Sequence, residues 1–208
     1  MKRFLIPILA LAVVASVALA ADLGQPTAGG VVITDFEEFN GVIDNPKADQ
    51  PAQGPYTWWI FNDASAGKSS SIRGEIVPDA AHGSKALKVN WVLDGWTGLG
   101  WMSADPKIVW DWSSYNSLSL WVKGSGAKER FVIEMDDANK EVFWSTPVKA
   151  DNTEWAKVVI PFKQIRARPD WQPTDAKKNG KIDWPVQIQI IPQSKQGTVT
   201  VDLFEAIP

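Results

Sequence analysis

The sequence predicts an all-β fold, a two-sheet antiparallel β-sandwich, and two observations carry the prediction. Short apolar runs of strand length recur along the chain with clusters of Gly, Pro, Asn, Asp and Ser between them. No stretch has the period of a long amphipathic helix. Strands repeated without helices to cover them bury their apolar faces by packing sheet on sheet.

Residues 1–20 stand apart from that fold. Met1-Lys2-Arg3 precedes an apolar run over 4–17 and the small-x-small sequence Ala18-Leu19-Ala20, the pattern of a secretory signal peptide. The apolar run is too short for a comfortable membrane span. No cysteine follows Ala20, which argues against a lipid anchor. The mature chain is therefore expected to begin near Ala21, with 21–30 a mobile small-residue leader and 31–208 one domain. The expected address is the periplasm or the medium, with no membrane attachment after cleavage.

The strands follow in order. Residues 31–37 form a strand with an acidic end, and a polar loop rich in Asn, Asp and Pro runs to Pro55. Segments 56–63, 72–77 and 85–92 are the next apolar runs. Residues 95–102 place glycines at every second or third position, which permits close backbone approach and leaves Trp96 and Trp101 prominent. Trp110-Asp111-Trp112-Ser113 leads into the alternating strand 117–123, which Gly124-Ser125-Gly126 ends. Segment 130–137 puts Phe131, Ile133 and Met135 on one side and Arg130, Val132, Glu134 and Asp136 on the other. Segments 141–145 and 154–162 continue the sheet, and Pro161 closes the second because it cannot donate to a ladder. Residues 163–184 form a long loop at the edge of the sandwich. Residues 186–192 alternate cleanly, and 197–204 make the final strand.

Composition narrows the function classes. The 208 residues include no cysteine and one histidine, His82, so disulfides, thiol nucleophiles and zinc sites built on Cys or His drop out. Net charge is −3 and becomes more acidic when Lys2 and Arg3 leave, which argues against nucleic acid or anionic membrane as a partner. Twelve tryptophans accompany only two tyrosines. The indole N–H wants a partner, so a domain of this size is not expected to bury all twelve; the alternative is that they simply fill a large core.

The ordered segments Val32-Ile33-Thr34-Asp35-Phe36-Glu37, Tyr56-Thr57-Trp58-Trp59-Ile60-Phe61-Asn62-Asp63, Ser117-Leu118-Ser119-Leu120-Trp121-Val122-Lys123-Gly124, Trp155-Ala156-Lys157-Val158-Val159-Ile160-Pro161-Phe162 and Val199-Thr200-Val201-Asp202 resemble family 11 carbohydrate-binding modules and the related complex I intermediate-associated protein domain. The resemblance spans nearly all of the mature chain. It implies a galactose-binding-like jelly roll whose concave face holds a β-glucan-like polysaccharide. Such modules commonly sit beside a glycoside hydrolase, whereas no hydrolase segment accompanies this one, so the resemblance leaves open whether it serves such an enzyme in trans. The family cleft relies on tyrosines, and with only Tyr56 and Tyr115 here tryptophans would take that role. The resemblance further implies a structural calcium joining the first and last strands, with Glu37 and Asp202 at the matching places; hard oxygen ligands suit Ca²⁺.

Sugar recognition needs a flat apolar surface for the C–H faces of pyranose rings and hydrogen-bonding groups at the ring edges. Alternation puts Arg130, Glu134 and Asp136 on one face and Gln187 and Gln189 on another strand's face, with Trp144 beside them. Trp101 and Trp144 are the expected exposed platforms, with Trp59 behind them. The reading is thus a secreted, non-catalytic carbohydrate-binding protein. The alternative is a structural or assembly protein, such as a surface protein, that uses the same sandwich to bind other proteins. A hydrolase would need two opposed carboxylates. Glu134 and Asp136 lie about 7 Å apart along one strand, a spacing that suits binding of hydroxyls as well.

Overall fold

The computed structural model describes residues 23–39, 41–43, 56–63, 67–103, 111–182 and 184–208. The leader peptide expected at 1–20, most of the polar loop before Pro55, and Trp110 lie outside the described residues. Strands are numbered in chain order. One sheet runs β11 (Ala156–Pro161), β7 (Ser117–Gly124), β14 (Gln196–Ile207), β5 (Ala86–Val92), β4 (Ser71–Val77), β2 (Val42–Ile43), with β1 (Val31–Thr34) also paired to β14. The other runs β12 (Arg166–Ala167), β9 (Val142–Trp144), β8 (Glu129–Asp137), β13 (Pro185–Pro192), β6 (Thr97–Ser103), β3 (Tyr56–Asn62), with β10 (Val148–Ala150) also paired to β8. Every described pairing is antiparallel. The expected all-β sandwich of two antiparallel sheets is what forms.

The two-residue period decides what lies between the sheets. From the first sheet Leu87, Val89, Leu118, Leu120, Val122, Val199 and Val201 are fully buried. From the second, Phe131, Ile133, Met135, Ile188 and Ile190 meet them. Each side chain of this size contributes about 1.5–3 kcal/mol on leaving water. At one end the core is aromatic. Trp58 and Trp101 pack with ring centroids 5.2 Å apart, Phe36 lies 5.9 Å from Trp101, and Phe204 sits edge-on to Trp101 at 5.1 Å.

Strand β14 bends where its ladder to β7 breaks between Asp202 and Glu205. Leu203 takes a left-handed φ of 42° there. The Asp202 carboxylate accepts the Leu203 N–H at 2.7 Å, and the N–H groups of Ala81 and His82 at 2.9 and 2.7 Å. The described part of the 21–30 leader hydrogen-bonds to the sandwich. Gly24 N–H donates to Ala81 O at 2.8 Å, and Thr27 donates its N–H and hydroxyl to the buried Glu205 carboxylate at 2.6 and 3.0 Å.

Candidate functional site

The face of the second sheet that points away from the core carries the chemistry. Because Trp58, Leu99, Trp101, Ile188, Ile190, Ile133, Met135 and Phe143 turn inward, their neighbours must turn outward. Strand register then aligns Trp59, Gly100, Gln189, Glu134 and Trp144 as one row across β3, β6, β13, β8 and β9. The next row holds Thr57, Met102, Gln187, Asp136 and Val142.

Gly100 gives the row its shape. A Cβ at that position would fall 2.5 Å from Trp59 Cζ2 and 2.8 Å from Gln189 Cγ. The bare backbone therefore lets the Trp59 indole lie across β6 toward Gln189. Gly98 does the same for Phe61, which stacks on Trp96 with centroids 4.0 Å apart.

At the other end of the row the segment after β12 folds back over the open side of β9. Arg168 N–H donates to Val142 O at 2.7 Å, and the Gln172 side chain both donates to Val142 O at 2.7 Å and accepts from Val142 N–H at 2.9 Å. This docks the Arg168 guanidinium among three indoles, 4.6 Å from the Trp144 ring centroid, 5.3 Å from Trp96 and 5.5 Å from Trp171. Such placements over an aromatic face are attractive. The same guanidinium donates to Glu134 at 3.0 Å and to Asp170 at 2.8 Å. Trp144 Nε1 also donates to Glu134. Glu134 and Arg168 are both buried, and the pair clamps Trp144 against the sheet.

The electrostatics follow from that crowding. Burial raises the Glu134 carboxyl against the hydrogen bond from Trp144 and the charge of Arg168. Burial, with the charges of Glu134 and Asp137 nearby, pushes Asp136 up to about 7. The Arg168 hydrogen bond holds Asp170 below the usual carboxylate range. Gln187 Nε2 donates to Asp136 Oδ2. Among the described residues, Asp136 Oδ1 and Gln189 Oε1 are buried acceptors with no protein donor. Buried acceptors normally find a partner, so these two oxygens suit ligand hydroxyls or water.

Of the residues singled out from the sequence, Trp59, Glu134, Asp136, Trp144, Gln187 and Gln189 share this face. Trp101 does not. It is fully buried against Trp58 and Phe204, because Leu99 and Trp101 alternate with the outward Gly98 and Gly100; the expectation of an exposed platform there is corrected. Arg130 has the parity of Glu134 but sits four residues away toward the far end of β8, where it pairs with Asp151 at 2.5 Å. It is outside the cluster. Trp96, prominent among its glycines in the sequence, joins the cluster beside Arg168, and Arg168 and Trp171 were not singled out. The run Arg168-Pro169-Asp170-Trp171, which packs an ion pair and an indole into four residues, was the signal.

Glu37 and Asp202 do not fit the expected calcium. Glu37 accepts the N–H groups of Ser84 and Lys85, each at 2.7 Å, and the Ser84 hydroxyl at 2.7 Å. Burial works against ionisation there, but those hydrogen bonds keep its carboxyl below the usual range. Asp202 is likewise used by three N–H groups, although burial pushes it up to about 7. The Lys85 ammonium already donates to Glu37 O at 2.8 Å and Phe39 O at 3.1 Å. A calcium site needs converging oxygen lone pairs, whereas here N–H donors and an ammonium take them. Among the described residues no group of three or more His, Cys, Asp and Glu side chains is arranged to hold a metal ion.

Comparisons with known proteins agree with the fold. The family model described as carbohydrate binding domain (family 11) matches residues 22–208. No curated protein matches the chain. Among solved structures, the family 11 carbohydrate-binding module of the cellulosomal cellulase Lic26A-Cel5E of Clostridium thermocellum is similar with a TM-score of 0.60 and 22% identity, covering 86% of this chain and 94% of that one. A family 11 module from Clostridium thermocellum in complex with a β-1,3-1,4-mixed-linked tetrasaccharide is similar with a TM-score of 0.57 and 21% identity, covering 81% of this chain and 96% of that one.

Proposed function

Because this chain belongs to the family 11 carbohydrate-binding modules, we propose that its Trp59-to-Trp144 face binds a neutral β-glucan-like polysaccharide without cleaving it. The observation that carries the reading is the row itself: an indole at each end, Gln189 and Glu134 between them, and a glycine where a side chain would block the way. An extended sugar chain offers C–H faces to indoles and hydroxyls to amides and carboxylates. The tetrasaccharide held by the similar Clostridium thermocellum module supports the ligand class.

The charge of the face selects among glycans. Glu134, Asp136 and Asp170 surround one guanidinium that is already shared by Glu134 and Asp170. Uronic acid polymers would meet uncompensated like charge. Catalysis has poor geometry here. Glu134 is fixed by Arg168 and Trp144, and Asp136 lies two residues along the same strand rather than across a cleft, so the two do not make an opposed carboxylate pair of the glycosidase kind. The leader at 1–20 supports export, and a glycoside hydrolase acting in trans is the partner such a module would serve.

Titration calorimetry against mixed-linked β-glucan, xylan, mannan and polygalacturonate tests this. Saturable binding to a neutral glucan, weakened by Trp144→Ala in a variant that still folds, is the expected result. No heat with any neutral polysaccharide, or equal binding of polygalacturonate, refutes it.

A further inference from the structure

A second hollow, of about 600 Å³, opens on the first sheet, away from the Trp59-to-Trp144 row. Arg73, Asn90 and Thr198 stand side by side across β4, β5 and β14 and line it, together with Trp91, Gln196 and, from β8, Glu129. Trp91 lies over Gly197, where a Cβ would collide with its ring, and is fixed by its Nε1 donating to Ser194 O at 3.0 Å.

The polar groups here are incompletely used. Glu129 is 0% exposed. Its Oε1 accepts the N–H of Ser125 at 3.2 Å and the Ser125 hydroxyl, but among the described residues its Oε2 has no donor. A buried carboxylate oxygen without a donor is costly. Thr198 Oγ1 donates to Asn90 Oδ1 at 2.9 Å, and the Asn90 amide N–H groups have no acceptor among the described residues. Arg73 is exposed and forms no ion pair among the described residues. The lining of one hollow thus includes a buried carboxylate oxygen without a donor, and a guanidinium and an amide that form no ion pair and donate no hydrogen bond among the described residues.

A polyhydroxylated molecule answers both needs, because each hydroxyl donates and accepts. A charged ligand answers only one. The volume is within the range of small-molecule sites. We infer that this hollow is a second site, which takes a terminal or single pyranose unit of a neutral saccharide through Glu129, Asn90 and Arg73. The assignment is independent of the row on the other sheet. Two sites on opposite layers would let one module bridge two chains, raising avidity on a polymer without a new contact at either site.

Backbone amide NMR of the chain from Ala21 onward, titrated with glucose, cellotetraose, xylotetraose and mannotetraose, tests it. At least one of these sugars is expected to shift the amides of Asn90, Thr198 and Ser125 saturably. Those shifts are expected to persist in Trp144→Ala and to need about tenfold more sugar in Arg73→Ala/Asn90→Ala and in Glu129→Gln. The double variant alters exposed or half-exposed strand positions, so it keeps the test open should Glu129→Gln fail to fold. The site is overturned if no sugar moves those amides, if the shifts vanish in Trp144→Ala, or if the double variant leaves them unchanged. Binding confined to the Trp59-to-Trp144 row removes this site alone; binding here without the row removes the other reading alone.

Discussion

Arg168→Ala is the most informative single change. Arg168 is 7% exposed and its partner Glu134 is 4% exposed at the side chain. Truncation leaves a buried carboxylate holding one hydrogen bond, from Trp144, and removes the cation from between three indoles. Breaking a buried pair from one side costs about 3–5 kcal/mol. For a domain of this size each kcal/mol moves Tm by about 2–4 °C, so a loss of about 6–20 °C is expected at pH 8. The pH dependence has a definite sign. Glu134 already has a raised carboxyl, and losing Arg168 raises it further. The folded variant then keeps a proton that the unfolded chain sheds, so its deficit is small near pH 4.5 and grows as pH rises through the folded value. Urea unfolding at pH 4.5 and pH 8 measures both arms. Arg168→Met with Glu134→Leu should recover most of the loss, because it removes both charges. A deficit below about 1 kcal/mol at pH 8, or one equal at the two pH values, would refute the clamp.

Other expectations concern the same face and core. Trp101→Ala should cost about 3–5 kcal/mol by calorimetric melting, since the ring is core. Gly100→Ala should weaken glucan binding more than it lowers Tm, because the added methyl displaces Trp59. Asp136, pushed up to about 7, holds a proton in the fold that the unfolded chain loses near pH 4, so this group costs stability increasingly from about pH 4 to about pH 7 and no further above; Asp136→Asn should flatten that slope in denaturant titrations. Melting in Ca²⁺ and in EDTA should coincide, given that Lys85 and N–H groups occupy the oxygens around Glu37 and Asp202; a large shift would restore the calcium expectation.

How far the sequence reached depended on which rule governed each residue. Alternation along β8 and β13 placed Glu134, Asp136, Gln187 and Gln189 together, because a strand with one buried face has no freedom to choose sides. The same rule, applied to Leu99 and Trp101, sends Trp101 inward; Gly98 and Gly100 are the outward positions of a regular strand, and the close approach they permit is made by Phe61 and Trp59 rather than by a prominent Trp101. Arg130 shows the limit of parity, which fixes a side and says nothing of distance along it. Arg168 was invisible to any period. It reaches the row from a loop whose course is set by hydrogen bonds to Val142 O, a long-range contact that local pattern does not encode. The calcium expectation followed from likeness at strand ends and ignored which donors the loop 81–85 would bring.

The bare positions of β6 also bear on how binding preference could change. A ring held flat by missing atoms needs no partner to orient it, so one substitution at residue 98 or 100 would tilt an aromatic plate upright and turn an open track into a walled slot. On the proposed reading of this face, linkage selectivity would be tunable at residues 98 and 100, beneath the aromatic plates.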